Sequence, residues 1–222
     1  MLPGVLFSLA CANRTFVAVV PEFRKYVVRD LTKGPPPRRR RGCGLLLWLG
    51  LTPTAERCTK YDVGKYDERR KAMYTTALFG NARDVHVGLD LGGPVGTPVF
   101  APWEGKIFGF GFNAADGDYG HVVVTEHRFE PENLTFWCLY GHLSASSAAF
   151  KAVGDAVAAG QQIGTIGRRT ENGGWPPHLH FQISLKRPSH PHDMPGVVTP
   201  ADRDEALEIY PDPRLIVGKD LY

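Results

Sequence analysis

The chain has no apolar run of the roughly 18 residues that an ordinary membrane-spanning helix needs, so no membrane span is predicted. Cysteine is scarce. The four present (Cys11, Cys43, Cys58, Cys138) form no CxxC pair and no zinc-finger spacing, which removes a thiolate metal knot but leaves the redox compartment open. Charge of one sign is also lacking: the net excess is only +3, and much of it sits in one run, Arg38 to Arg41. This balance says little for a nucleic-acid surface over the rest of the chain, and no nucleic-acid partner is expected. With 25 Gly and 18 Pro, long helices are disfavoured and short strands joined by turns are favoured. At 222 residues, 43% hydrophobic and 22% charged, the chain is globular and long enough to bury a core.

Residues 1–60 have mixed periodicity and are read as an N-terminal extension of undetermined structure. Gly34-Pro35-Pro36-Pro37 and the four arginines after it mark a loop or linker. Arg38–Arg41 followed by the apolar segment Gly42–Leu51 resembles the charged and hydrophobic regions of an export signal, but it begins deep in the chain. It is read as a solvated basic loop beside a core segment, so export is left open. Residues 61–200 are expected to form one β-rich domain with its core at 85–185, and 201–222 a tail; after Lys186 the composition predicts an irregular wrap. Tyr66 to Phe79 reads as a short helix stopped by Gly80-Asn81.

The strongest pattern is Pro176-Pro177-His178-Leu179-His180-Phe181-Gln182-Ile183. Turn residues precede it, and Leu179, Phe181 and Ile183 alternate with polar residues, as in a strand with one buried face. His178, His180 and Gln182 then share the other face, with the two imidazoles about 6.5–7 Å apart. That spacing suits two ligands of one metal, or one ligand beside one substrate-facing histidine.

Upstream, His86 and Asp90 stand four apart in a segment where Val85, Val87, Leu89 and Leu91 alternate, which predicts a strand with both on one face. An imidazole and a carboxylate, joined by one more histidine, make a three-ligand zinc site with a fourth position open for water. A third cluster, Leu139-Tyr140-Gly141-His142-Leu143, closes a strand in which alternation puts Cys138, Tyr140 and His142 on one face. Cys138 is read as a small buried hydrophobe. His121–Glu126 and Thr135–His142 are expected to pair antiparallel, and Gln161–Gly167 and His178–Leu185 to add further strands. The predicted fold is all-β, mainly an antiparallel sandwich or open barrel with an active-site groove and a short N-terminal helical extension.

The ordered set HxxxD, YGHL and HLHF is far more specific than any one of its parts. It resembles the lysostaphin-type (LytM-like) zinc endopeptidases, a family of bacterial cell-wall peptidases, over about Val85 to Leu185. Gly96–Pro102, the Glu104-Gly105-Lys106 turn and Val153–Val157 leading to Gly160–Gly164 belong to the same likeness. It implies one zinc ion held by His86, Asp90 and His180, with His142 and His178 as catalytic histidines. It further implies hydrolysis of peptide bonds in peptidoglycan stems or cross-bridges by metal-activated water. No position of this set is replaced, which argues against the catalytically dead members. The alternative is a non-catalytic protein of the same fold that keeps the zinc and binds cell wall or a partner. Two departures are visible: Gln182 stands where the family often has Glu, and Trp175-Pro176-Pro177 replaces a smaller lead-in. No substrate-pocket tyrosine is carried over. His190-Pro191-His192-Asp193 is assigned no metal, His121 and His127 are read as structural or solvated, and Trp175 as a groove wall or a lid.

Overall fold

Period-two alternation around Phe181 produces the strand on which the sheet is laid. A computed structural model describes residues 3–21, 26–34, 61–80, 82–149 and 151–222. Its strands are β1 (Val27–Arg29), β2 (Asp62–Gly64), β3 (Glu68–Arg69), β4 (Val85–His86), β5 (Leu89–Gly92), β6 (Pro98–Phe100), β7 (Gly105–Asn113), β8 (Gly120–Phe129), β9 (Leu134–Leu143), β10 (Ala156–Val157), β11 (Gln162–Thr165), β12 (His178–Ser184) and β13 (Val197–Val198). Helix α1 (Pro3–Ala12) precedes them, and α2 (Arg203–Ile209) and α3 (Arg214–Val217) follow. An eight-stranded sheet runs β1-β2-β5-β12-β9-β8-β7-β10, beside a β11-β6 pair and a β13-β4-β3 sheet. All pairings are antiparallel except β1 with β2. The fold is the all-β architecture expected, and among the described residues no helix is long and apolar enough to cross a membrane.

One face of the large sheet is the core. Leu179, Phe181 and Ile183 of β12 pack there with Leu89, Leu91, Cys138, Tyr140, Ile163 and Ile166. Helix α1 closes part of this core. Phe7 lies 5.2 Å from Phe136 between ring centroids, and Arg14 ties the helix's end to Glu132 at 2.6 Å while covering the Phe129 ring. On the other face a smaller cluster of Tyr119, Val122, Val124, Trp137, Leu139 and Met194 borders the groove.

Four expectations need correction. The helix over 66–79 does not form: β3 pairs with β4 there, and only Ala77–Phe79 closes a 3₁₀ turn, because Glu68 and Arg70 are drawn into a buried ion pair. The tail is more regular than an irregular wrap, since it adds β13, α2 and α3. The segment 85–91 is not one strand: β4 and β5 belong to different sheets, with Val87-Gly88 between them. Finally, Cys138, Tyr140 and His142 do not share a face. The β8–β9 register shifts between His121 and Val123, a bulge that leaves one extra residue on β9. His142 there takes φ +62°, a left-handed conformation that non-glycine residues rarely adopt. It is held by its own N–H on the Tyr119 carbonyl and by Gly167 N–H on its carbonyl, both 2.9 Å. Cys138 and Tyr140 therefore enter the core, while His142 turns to the groove. The Arg38–Arg41 and Gly42–Leu51 segments lie outside the described residues.

His127 is structural: it is buried in β8, its Nδ1–H donates to the Glu104 carbonyl at 2.8 Å, and Nε2 lies 2.6 Å from Thr125 Oγ1. Burial pushes its pKa down from 6.5 to about 4. The stability this neutral ring contributes is present above pH ~6.5 and is lost as the pH falls towards 4, because the unfolded chain takes up the proton first. The loss is roughly 3 kcal/mol, at about 1.4 kcal/mol per unit. Urea unfolding should therefore show His127→Gln losing about 3 kcal/mol less than the wild type between pH 7.5 and 4; coincident pH profiles would contradict this.

Candidate metal and active site

Strand order brings the three motifs together. β12 lies between β5 and β9, with His180 in register with Asp90 on one side and Gly141 on the other. His86 at the end of β4 completes the set, with its Nε2 3.2 Å from Asp90 Oδ1 on β5. Between those strands Gly88 lies against the His180 ring: a Cβ there would sit 2.3 Å from His180 Cε1.

Three ligand-type atoms meet at one point. His86 Nε2 is 3.1 Å from His180 Nδ1, and Asp90 Oδ1 is 3.2 Å from both. Around a tetrahedral zinc with bonds of ~2.0–2.1 Å, ligand atoms stand ~3.3 Å apart. The hydrogen bonds behind these atoms fix what each offers. A carbonyl only accepts, so His86 Nδ1 carries the proton given to Lys65 O at 2.8 Å, and Nε2 keeps its lone pair. Gln182 donates its amide to the Pro195 carbonyl at 3.1 Å, so its Oε1, 3.0 Å away, accepts the proton of His180 Nε2. Two lone pairs and a carboxylate oxygen thus converge with no proton among them, a donor set that fits a divalent cation. Burial, helped by the Arg70 charge, pushes His86 down to about 4, so the ring is neutral at pH 7. Burial would raise the Asp90 carboxyl, but the Arg70 guanidinium on its Oδ2 outweighs this and holds it well below the ordinary carboxylate range.

Beside this cluster lie the other two histidines, with rings 4.2 Å apart. His142 is buried, and its Nδ1–H donates to the Asn172 carbonyl at 2.9 Å. Burial and the neighbouring His178 and His180 hold its pKa well below 6.5. His178 donates from Nδ1 to the Pro176 carbonyl at 2.7 Å, and its Nε2 lies 3.7 Å from Asp90 Oδ1. All five expected residues line one cleft of about 900 Å³. Trp175 forms part of its wall, anchored by its indole N–H on the Gly117 carbonyl at 3.0 Å and packed against Tyr74.

The family model described as "Peptidase family M23" matches residues 84–192. Residues 84–192 are a peptidase family M23 domain. Over 101 residues the chain is 37% identical to the DD-carboxypeptidase/endopeptidase Mpg of Neisseria meningitidis, covering 46% of this chain and 20% of that protein. The Peptidoglycan DD-endopeptidase ShyC of Vibrio cholerae is 31% identical over 98 residues, covering 44% of this chain and 20% of that one. The chain thus spans about a fifth of the length of these curated relatives. Among solved structures, the catalytic domain of lysostaphin from Staphylococcus simulans is 29% identical, with 55% of this chain and 80% of that one covered at a TM-score of 0.35.

Two residues that touch this cluster carry no motif in the sequence. Tyr119 packs 5.1 Å from the His180 ring and 5.7 Å from His142, with its hydroxyl donating to the Met194 carbonyl at 3.0 Å. The only signal for it was the Gly117-Asp118-Tyr119-Gly120 turn, which carries no chemical pattern. Arg70 donates to Asp90 Oδ2 at 2.6 Å, yet it sits in the stretch from Tyr66 to Phe79 that reads as a short helix with no chemistry of its own. His190 and His192 stay out of the ligand cluster; His192 instead bonds Asn113 Oδ1 at 2.7 Å.

The close seating of Gly88 on His180 gives a direct prediction. Gly88→Ala should displace that ring and lower divalent-metal affinity by at least tenfold, with overpacking destabilising the fold by about 1–3 kcal/mol. Metal content after dialysis, read beside a thermal melt, checks it; full metal retention in a folded variant would contradict the geometry.

Proposed function

We propose that this chain is a zinc-dependent endopeptidase that cuts peptide bonds in peptidoglycan stems or cross-bridges. In this reading His86 Nε2, Asp90 Oδ1 and His180 Nδ1 hold one zinc ion, and His142 and His178 move protons. The observation that carries it is the convergence of three proton-free acceptor atoms beside two imidazoles whose Nδ1–H bonds are already committed. Zinc in such a site supplies Lewis acidity and a water that ionises near neutral pH.

The chain's residues supply the rest. One carboxylate among neutral imidazoles leaves the loaded site with net positive charge, which suits it to a developing oxyanion. Backbone carbonyls fix the tautomer of His142 and His178, so each has an Nε2 lone pair to take a proton from attacking water and return it to the leaving amine. Burial keeps His142 neutral and therefore competent as a base at pH 7. The cleft of about 900 Å³ accommodates an extended peptide, and Trp175 and Tyr74 give it an aromatic wall. The names of the Neisseria and Vibrio relatives point to the D-amino-acid-containing peptides of peptidoglycan as the substrate class.

Digestion of purified cell walls of both cross-link types, with mass spectrometry of the fragments, tests this. The wild type should release cleaved stems or bridges, lose activity to a chelator and regain it with zinc. His142→Ala should keep one zinc and lose turnover by about 10²–10⁴-fold, whereas His86→Ala and Asp90→Ala should lose zinc as well. Turnover at the wild-type rate in His142→Ala, or indifference to chelators, would sink the mechanism. Bound zinc with no hydrolysis of any wall would point instead to a binding protein.

A further inference from the structure

The two oxygens of Asp90 have different neighbours. Oδ1 faces His86 Nε2 and His180 Nδ1 at 3.2 Å, whereas Oδ2 accepts from Arg70 Nη1 at 2.6 Å. Arg70 is 1% exposed, and the rest of its guanidinium is also engaged. Nε donates to Glu68 Oε2 at 2.8 Å, Nη1 to the Tyr74 hydroxyl at 3.1 Å, and Nη2 to the Lys65 carbonyl at 3.0 Å. That Lys65 oxygen is the one that accepts the His86 Nδ1 proton at 2.8 Å. One planar group therefore touches Asp90 directly and His86 through a shared acceptor. Residue 64 leaves room for it: a Cβ on Gly64 would stand 2.9 Å from both Arg70 Nη2 and Asp90 Oδ2.

From this arrangement we propose that Arg70 is the positioning residue of the metal site, occupying Asp90 Oδ2 so that the carboxylate offers Oδ1 alone, and fixing the His86 ring through the Lys65 carbonyl. The proposal rests on the zinc reading above. A cation beside a metal site would ordinarily repel the ion. Here Glu68 balances the guanidinium, and its Oε1 is itself fixed by the Leu31 N–H at 3.1 Å, so the charge of Asp90 remains for the metal. Lysine cannot do the same, because a single ammonium lacks the fork needed to reach Asp90, Glu68 and the Lys65 carbonyl in one plane.

The test uses the full chain as wild type, Arg70→Lys, Arg70→Met and Arg70→Met/Glu68→Gln, the last avoiding an unpaired buried Glu68. Zinc affinity is measured by competition with a chromophoric chelator, and coordination by the visible spectrum of the cobalt(II)-substituted protein. Expected is a 10- to 100-fold loss of zinc affinity in the neutral variants, only partly restored by lysine. The cobalt bands should also weaken as the freed Oδ2 joins the metal and coordination number rises. A merely structural arginine would leave that spectrum unmoved. Unchanged affinity and spectrum in a folded variant overturn the role; where the neutral variants fail to fold, Arg70→Lys, which keeps the buried charge, decides between the same two outcomes. A wild type that binds no zinc overturns the zinc reading and this proposal together, whereas zinc-binding wild type with unchanged variants overturns the role of Arg70 alone.

Discussion

The pairing of Asp90 with two imidazoles that have no proton to give it is the constraint the rest of the site answers to. A buried carboxylate is costly unless charge or hydrogen bonds balance it. Here the hydrogen bonds available from His86 and His180 are aimed elsewhere, at Lys65 O and Gln182 Oε1. Arg70 supplies the hydrogen bond on one oxygen, while its own charge is shared with Glu68, and in the proposed assignment a divalent cation meets the other. Arg70 alone leaves Oδ1 facing two lone pairs, an arrangement that repels until a cation enters.

The sheet makes that arrangement possible by dividing the work of β12 between its two faces. Leu179, Phe181 and Ile183 bury fully in the core, so the backbone carrying His178 and His180 has little freedom to shift. Burying one such side chain contributes about 1.5–3 kcal/mol. The neighbouring strands then deliver Asp90 and His142 without a loop between. Loop residues contribute acceptors instead: the carbonyls of Lys65, Asn172, Pro176 and Pro195 each set a ring or amide orientation. The tail after Lys186 therefore belongs to the site through Pro195 and Met194, although it supplies none of its ligand atoms.

Much of this was legible in the residues, and the reasons for the rest are physical. Alternation at Leu179–Ile183 correctly divided β12, because a half-buried strand must obey a period of two. The same rule failed on β9, where the bulge at Gly141–His142 adds a residue and resets the faces. It failed also at Val87-Gly88, where four alternating apolar residues concealed a switch between sheets. Gln182, legible only as a member of the histidine face, is buried and bonded to His180. Arg70 and Tyr119 were out of reach, since neither lies in a spacing that chemistry demands. Their roles come from contacts across 20 and 61 positions (Arg70 to Asp90, Tyr119 to His180) that only the fold creates.

The proposed zinc ion sits where His86, Asp90 and His180 meet. Anomalous diffraction above and below the zinc absorption edge, on crystals of the protein purified without chelator, addresses it most directly. A single strong zinc peak is expected within about 2.0–2.3 Å of His86 Nε2, Asp90 Oδ1 and His180 Nδ1. A zinc peak bound by other residues, or those three side chains fully ordered around an apo site in zinc-saturated crystals, would contradict it.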